Sequence, residues 1–289
     1  MSAHVDTAPE AVSRSGRAGR LNPSLVVGGT VVALIIGAAL VSFIWTPHDP
    51  TRIDAAARLS GSTGEYWLGT DKFGRDVFSQ LLVGARTTLF VGIVAVGIAA
   101  LIGTPLGIFA GMGSGWASEI VMRANDLLLA FPALLMAIMF AAVYGPSTLT
   151  AMAAIGIATI PSFARLARSG TLNVMRTEYV LAARAAGRSR RAIAVRHVLP
   201  NISGLVIVQS SVAFAIAILA EAALSFLGFG TRPPTPSWGR MLQESQEMLH
   251  SAPLLALWPG LAIALAVLGF NLLGDGLRDR LDPRLEVRR

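Results

Sequence analysis

Between two apolar segments of this chain lies the stretch Glu178–Pro200, EYVLAARAAGRSRRAIAVRHVLP. It contains five arginines, and Glu178 is its only acidic residue. Basic residues concentrated between apolar segments are typical of a cytoplasmic loop that joins two membrane-spanning helices. The stretch therefore predicts that the chain crosses a membrane on both sides of it.

The composition of the whole chain agrees with a membrane protein. Of its 289 residues, 53% are hydrophobic and 14% are charged, whereas about 25% are charged in a typical soluble domain. The net charge of +7 could suggest nucleic acid, but the basic residues lie between apolar segments without interleaved aromatic residues. We therefore predict membrane lipid rather than nucleic acid as a partner. The absence of cysteine excludes disulfides and thiolate metal sites, and the four histidines form no spaced ligand set, so we predict no metal site.

Apolar segments long enough to cross a hydrocarbon core of about 30 Å occur six times. The first follows a basic tail, residues 1–23, and is longer than the apolar core of a cleaved signal peptide, so we expect it to be retained. Prolines lie inside several of these segments, and neighbouring helices can satisfy the backbone groups that a proline frees. The predicted spans are residues 25–45, 88–111, 120–144, 149–166, 202–227 and 253–273.

The lysines and arginines predict the orientation of the spans. With the N-terminus inside, seventeen of these residues fall on inner segments and seven on outer segments. Because inner loops of membrane proteins are rich in these residues, we place both termini in the cytoplasm. The prediction is thus a multi-pass, all-α bundle over residues 24–284, with a cytoplasmic loop at 168–201 and a short cytoplasmic tail at 285–289.

The central stretch itself predicts two short helices. Ala182 and Ala183 give the first helix a face with little side-chain bulk, which could settle into a groove on another protein. Gly187 is placed to end that helix, and Ser189 to cap a second one that runs to His197. Pro200 is expected to mark the turn into the fifth span. The simpler alternative is a basic loop that sets topology and touches anionic lipid.

Two acidic residues lie inside predicted spans, where ionisable groups are costly. Asp126 lies in the third span and Glu221 in the outer third of the fifth. Either could line a translocation pathway, or could make a structural bond between helices. For Asp126 we favour a structural bond, with Asn125 or Arg123 as nearby partners.

The outer loops contain two recognisable segments. Residues 69–76, GTDKFGRD, combine turn residues with charges, and Asp76 is suited to cap a helix. The loop could be simply solvated, or could contact another protein. Residues 231–238, TRPPTPSW, contain too many prolines for a helix. We expect four tryptophans to anchor the chain at the membrane interface, namely Trp45, Trp67, Trp238 and Trp258.

Four motifs together resemble one family. They are LGTDKFGRDVFSQLLVGARTTL (residues 68–89), DLLLAFPALLMA (126–137), EYVLAARAAG with HVLPN after it, and AEAALSFLGFG (220–230) with NLLGDGLRDRLDPR (271–284) closing the chain. In this order, and in these places relative to the spans, they resemble the C-type permease subunits of the dipeptide/oligopeptide/nickel family of ABC importers. The resemblance covers roughly residues 24–284.

The resemblance implies a type I permease fold in the bacterial cytoplasmic (inner) membrane. It also implies a sister permease forming a heterodimer, two ATPase domains or subunits, and an extracytoplasmic substrate-binding protein as partners. Such a subunit is not an enzyme and binds no cofactor, because ATP and magnesium are bound by the ATPases. The sequence accordingly has no GxxxxGK[ST] phosphate-binding loop.

The resemblance also identifies residues 168–201 as the loop that couples the permease to the ATPases. The family pattern has glutamate–alanine–alanine, then glycine, then leucine–proline. Leu181 occupies the place of the glutamate, and Glu178, one turn earlier, is a candidate to replace it. Arg184 lies in the same helix. The positions that match the pattern are Ala182, Ala183, Gly187, Leu199 and Pro200.

Two other classes of protein fit the sequence less well. A secondary transporter would show repeated halves with broken helices and midplane charges, but the halves show no such symmetry. A membrane scaffold without transport does not explain the coupling pattern. The predicted substrates are peptides, either dipeptides or oligopeptides, and the alternatives are glutathione and nickel.

Overall fold

Helices make up most of the computed structural model, which describes residues 22–113 and 115–281. Within these ranges the chain forms no β-strand and only one isolated bridge, between Thr70 and Asp76. The predicted tails lie outside the described residues, apart from Asn22 and Pro23. The α-helices are α1 (Pro23–Ile44), α2 (Val77–Met112), α3 (Trp116–Ala130), α4 (Ala133–Tyr144), α5 (Thr148–Val174), α6 (Glu178–Ala185), α7 (Arg190–Ile193), α8 (Leu199–Phe226), α9 (Trp238–Ser245) and α10 (Leu254–Leu281).

Five helical segments are long and apolar enough to cross a membrane. They are α1, α2, α5, α10 and the continuous 37-residue segment Arg190–Phe226, which includes α7 and α8. The sixth span is the pair of helices α3 and α4, which pass the same test together. The prediction of an all-α bundle with six spans is therefore confirmed when this pair counts as one span.

The third predicted span, residues 120–144, is wrong as a single helix. The chain bends by 85° between α3 and α4. Phe131 has an extended conformation with φ −84° and ψ 128°, and Pro132 precedes the first residue of α4. A proline has no backbone N–H to donate, and it disfavours helical geometry in the residue before it. No neighbouring helix overrides this local preference.

Several other boundaries differ from the prediction because polar residues extend the helices beyond their apolar cores. The second span begins at Val77 rather than residue 88, since the Asp76 carboxylate caps α2 by accepting from the Ser79 N–H at 2.9 Å. This confirms Asp76 as a helix cap. The fourth span continues to Val174 rather than ending at residue 166, and the last continues to Leu281 rather than residue 273.

The expected turn at Pro200 is also wrong. Residues Ala194–Val198 form a π-helical segment that runs directly into α8. In that segment the Leu199 N–H donates to the Ala194 carbonyl, five residues earlier. We attribute the unbroken helix to this wider turn, which accommodates a residue that has no N–H to donate.

The centre of the bundle is the close packing of α2 on α5. Gly103, Gly107 and Gly111 repeat every four residues and so form one stripe on α2. A Cβ atom on Gly103 would lie 2.6 Å from the Ile160 carbonyl oxygen, and one on Gly111 would lie 2.6 Å from Thr171 Cβ. Small residues at this spacing allow two membrane helices to approach at backbone distance. The stripe therefore fixes where α5, and the loop that follows it, lie.

The first and last spans pack on each other in a similar way. A Cβ atom on Gly276 of α10 would lie 2.6 Å from Leu25 Cα of α1, so only glycine fits there. The α10 helix also packs on α8, where the rings of Phe214 and Phe270 stack with their centroids 4.2 Å apart. The α8 helix therefore contacts both α10 and the α2–α5 pair.

Candidate functional site

The short helix α6 ends at the glycine that the sequence predicts. Thr177 before it is extended, and Gly187 after it has φ +75°, a left-handed conformation that favours glycine. The Arg188 N–H donates to the Ala183 carbonyl at 3.1 Å, and the Gly187 N–H donates to the Arg184 carbonyl at 3.0 Å. This pair of bonds is a Schellman motif. It ends α6 and turns the chain towards α7.

The second helix of the stretch begins at the predicted cap. The Ser189 hydroxyl accepts a hydrogen bond from the Ala192 N–H at 3.3 Å. Four residues separate α6 from α7, and three separate α5 from α6. The helix α6 is therefore held at both ends by short connections to two membrane spans.

A buried apolar side chain anchors α6 to the bundle. Val180 is fully buried, and it packs in a cluster contributed by α2, α5 and the segment that leads into α8. The Tyr179 ring also lies against the His197 ring of the π-helical segment, with centroids 6.0 Å apart. The other buried members of this cluster are Ile108, Ala167, Ile193, Val198 and Ile202.

The opposite face of α6 is open. Ala182 and Arg184 are exposed, whereas Ala183 is half-buried on the anchored side. Leu181 is 49% exposed in the place where the wider pattern has its acid. Glu178 is exposed at the first turn, and Gly187 is exposed just beyond the last. The outward surface is therefore mostly small and apolar, with charges at its ends.

Leu199 and Pro200 do not belong to this surface. Both are exposed, but they begin α8, beyond the π-helical segment. The predicted loop at 168–201 accordingly contains only two short non-helical turns, at residues 175–177 and 186–189.

Glu221 lies on α8, far from α6, in a polar cluster inside the chain. Its side chain is buried, and its Oε1 accepts hydrogen bonds from Ser225 Oγ at 2.7 Å and Thr231 Oγ1 at 3.4 Å. Thr88 of α2 and Ser237 before α9 add hydroxyl groups around this carboxyl group. The arrangement joins the outer end of α8 to the loop that follows it.

Asp126 is placed differently, on the exposed side of α3. Its Oδ1 accepts a hydrogen bond from Arg165 Nη2 of α5 at 2.7 Å. The partner is therefore Arg165, and not Asn125 or Arg123. Arg123 instead lies 3.5 Å from Glu119, one turn earlier on the same helix. Asp126 also lines a polar cavity of 470 Å³ between α2, α3 and α5.

The outer loop before α2 folds onto α9 through buried charges. Arg75 Nε donates to Asp71 Oδ2 at 2.6 Å, and the other side of its guanidinium donates to Glu244 of α9. Arg240 donates to Glu244 Oε1 at 2.7 Å. At the exposed edge, Lys72 donates to Glu247 and lowers the pKa of that carboxyl group below its usual range. The 69–76 segment therefore holds the outer loop against α9 of the same chain.

Trp238 was wrongly expected at the membrane interface. It is 3% exposed, and its Nε1 donates to the Leu81 carbonyl at 3.0 Å. Gly84 of α2 leaves room for the indole ring. The residues before it, 231–237, are non-helical as predicted.

The predictions from sequence did not include the buried residues that position the exposed residues of α6 and of the outer loop. Val180 is the clearest case, because it lies beside the matched alanines but belongs to the buried cluster. The spacing of the residues could have identified it. Val180 and Ala183 are three residues apart, so they share one face of the helix, opposite to Ala182. The Arg75–Glu244 pair gave no such signal, since 169 residues separate its members.

Comparisons with known proteins identify the family. Residues 103–287 match the family described as binding-protein-dependent transport system inner membrane component. The dipeptide transport system permease protein DppC of Alkalihalophilus pseudofirmus is 42% identical over 92% of this chain and 87% of its own length. The glutathione transport system permease protein GsiD of Pectobacterium atrosepticum is 43% identical over 90% of this chain and 87% of its own.

A solved structure shares the fold. The MetNI methionine ABC transporter in inward-facing conformations contains a chain that superposes with a TM-score of 0.59 and 16% sequence identity. The match covers 70% of this chain and 96% of that chain. The protein is therefore a multi-pass protein of the cytoplasmic membrane with the type I permease fold, and it belongs to the binding-protein-dependent transport system inner membrane component family as an ABC importer permease of the dipeptide/oligopeptide group.

Proposed function

We propose that this chain forms half of a peptide translocation pathway and that α6 docks onto a partner ATPase. In this proposal a sister permease supplies the other half of the pathway. Two ATPase domains bind ATP and magnesium, and an extracytoplasmic binding protein delivers di- or oligopeptides. The chain itself performs no catalysis and holds no cofactor.

The observation that carries the proposal is the two-sided character of α6. Its inner side is fixed to three helices of the bundle through Val180. Its outer side, around Ala182, has little side-chain bulk and is open. A helix of this kind fits the groove of a partner closely. Because short turns connect it to α5 and α7, movement of such a partner would be passed to two membrane spans.

Cross-linking can test this docking directly, because the chain has no cysteine of its own. We expect an Ala182→Cys variant, co-expressed with the neighbouring ATPase genes, to cross-link to an ATPase through a short thiol–amine reagent. Asn173→Cys is the matched control, since Asn173 is also exposed but lies in the last turn of α5. Equal cross-linking of the two variants, or none at Ala182, would overturn the docking proposal.

The peptide class of substrate has support from the relatives. One relative is named for dipeptide transport and the other for glutathione, itself a small peptide, and their identities to this chain are 42% and 43%. Sequence identity therefore does not separate the two, and nickel stays an alternative. Uptake of labelled dipeptide by cells that express the complete transporter, with unlabelled oligopeptide, glutathione or Ni²⁺ as competitors, would identify the substrate. Competition by Ni²⁺ alone would contradict the peptide assignment.

We also propose that Asp126 or Glu221 lines the translocation pathway. Asp126 is the better placed of the two, because its carboxylate is half-exposed beside an open polar cavity. Glu221 is enclosed by its own chain, so contact with a substrate would require that the outer loop move away.

A further inference from the structure

A long groove lies between the second half of α2 and the segment that leads into α8. Its volume is 770 Å³, and it is open along one side to the exterior of the chain. Apart from Thr104 of α2 and the residues at its end, the lining is apolar, with Ala100 and Phe109 on one wall and Val195 and Val206 on the other. None of these residues belongs to the face of α6 that is proposed to dock an ATPase.

The dimensions of the groove match one leaflet of a membrane. From Ala100 to Met112 the lining residues of α2 rise by about 18 Å at 1.5 Å per residue. Half of a hydrocarbon core of about 30 Å is about 15 Å. The groove ends at Met112 and Gly113, the end of α2 that we predict to face the cytoplasm. An extended acyl chain from the inner leaflet would therefore fit along it.

Positive charge is confined to that end. Arg190 and Arg191 line the groove there, and both side chains are exposed. Within residues 22–113 and 115–281, no ion pair involves either arginine. An apolar helix of another protein would cover the walls but would leave two guanidinium groups without partners. A molecule with an apolar body and one anionic end satisfies both parts of the groove.

We propose that this groove binds an anionic phospholipid of the cytoplasmic leaflet. Arg190 and Arg191 would pair with its phosphate, and the apolar walls would hold an acyl chain. Basic pockets between membrane helices on the cytoplasmic side are known to bind acidic headgroups. The π-helical segment contributes Ala194 and Val195 to the wall, so the bound lipid would contact the base of the coupling loop. The proposal does not depend on the substrate or on ATPase docking.

Brominated lipids provide the test. Phe109→Cys, labelled with bimane, places a single fluorophore in the groove of the full-length chain within the assembled transporter. In liposomes we expect brominated phosphatidylglycerol to quench it with about fivefold or greater apparent preference over brominated phosphatidylcholine, since each arginine contributes about that factor. Arg190→Ala/Arg191→Ala should abolish the preference.

The matched control removes the same charge from the same loop. Arg184→Ala/Arg188→Ala changes two exposed arginines that do not line the groove, and it should keep the preference. Three results would overturn the proposal: equal quenching by both lipids, equal loss in both arginine pairs, or no quenching by either lipid. The last would show that a protein partner fills the groove.

Mass spectrometry of the lipids retained by the purified transporter gives a second readout. The amount of retained phosphatidylglycerol should fall in the Arg190/Arg191 variant and should not fall in the Arg184/Arg188 variant.

Discussion

At the scale of single residues, Gly187 is the position where backbone conformation alone decides what the chain tolerates. Its φ is +75°, and a Cβ atom there would have no heavy atom within 4 Å. A substitution would therefore cause no collision, and its effect would come from the left-handed backbone. For an ordinary L-residue that conformation costs roughly 1–2 kcal/mol, although asparagine adopts it more readily.

We expect Gly187→Val to lower peptide-stimulated ATP hydrolysis by the reconstituted transporter, while the protein still inserts into the membrane. The strain would displace the end of α6 from the geometry set by the Schellman motif. Gly187→Asn is the control and should retain most of the stimulation. Normal stimulation in the valine variant would show that the end of α6 does not transmit the coupling.

Glu221 could line a pathway or make a structural bond, and its buried hydrogen bonds favour the structural role. Replacement by alanine would leave the buried hydroxyl groups of Ser225 and Thr231 without their acceptor, and each unpaired buried group costs about 1–3 kcal/mol. We expect Glu221→Ala to lower the thermal stability of the purified protein, and Glu221→Gln, which keeps an oxygen acceptor, to lower it less. Unchanged stability with reduced transport in Glu221→Ala would instead favour a pathway role.

At the scale of helices, the glycine stripe on α2 makes a prediction with an internal control. A Cβ atom on Gly107 would lie 2.7 Å from Ala167 Cβ and 2.9 Å from the Arg168 backbone nitrogen, whereas one on Gly97 of the same helix would have nothing within 4 Å. Gly107→Ala should therefore destabilise the bundle by about 1–3 kcal/mol through overpacking.

Gly97→Ala should be neutral or stabilising by up to about 1 kcal/mol, because alanine favours a helix more than glycine does. The measurement is the melting temperature of each variant in detergent, followed by size-exclusion chromatography. Similar melting temperatures for the two variants would contradict close packing of α2 on α5.

At the scale of the whole molecule, orientation in the membrane is still a prediction from arginine and lysine counting. Because the chain lacks cysteine, single cysteines can report it. Gly64→Cys lies in the outer loop, where a side chain would meet nothing within 4 Å, and Asn173→Cys lies near α6. An impermeant maleimide applied to spheroplasts should label Gly64→Cys, and should label Asn173→Cys only after permeabilisation. The reverse pattern would invert the topology.

The predictability of this molecule follows from how far apart the interacting residues lie in the sequence. Apolar length identified all six spans, and local signals identified Asp76, Gly187 and Ser189 correctly, because a cap or a left-handed turn depends on a few adjacent residues. The break at Pro132 was locally encoded too, but neighbouring helices were expected to override it. The partners of Asp126 and Arg75 could not be predicted, since they lie 39 and 169 residues away and depend on how the helices pack.

The uninterrupted helix from Arg190 to Phe226 has a consequence for the distance over which the two sides of the membrane communicate. Its 37 residues form a rod about 55 Å long, nearly twice the hydrocarbon thickness of about 30 Å. Glu221 near one end fastens the outer loop, and His197 near the other touches α6. A rigid rod of this length would convert a small tilt about its middle into opposite displacements of its two tips. Such a tilt would link α6 to the outer loop without a relay of side chains between them.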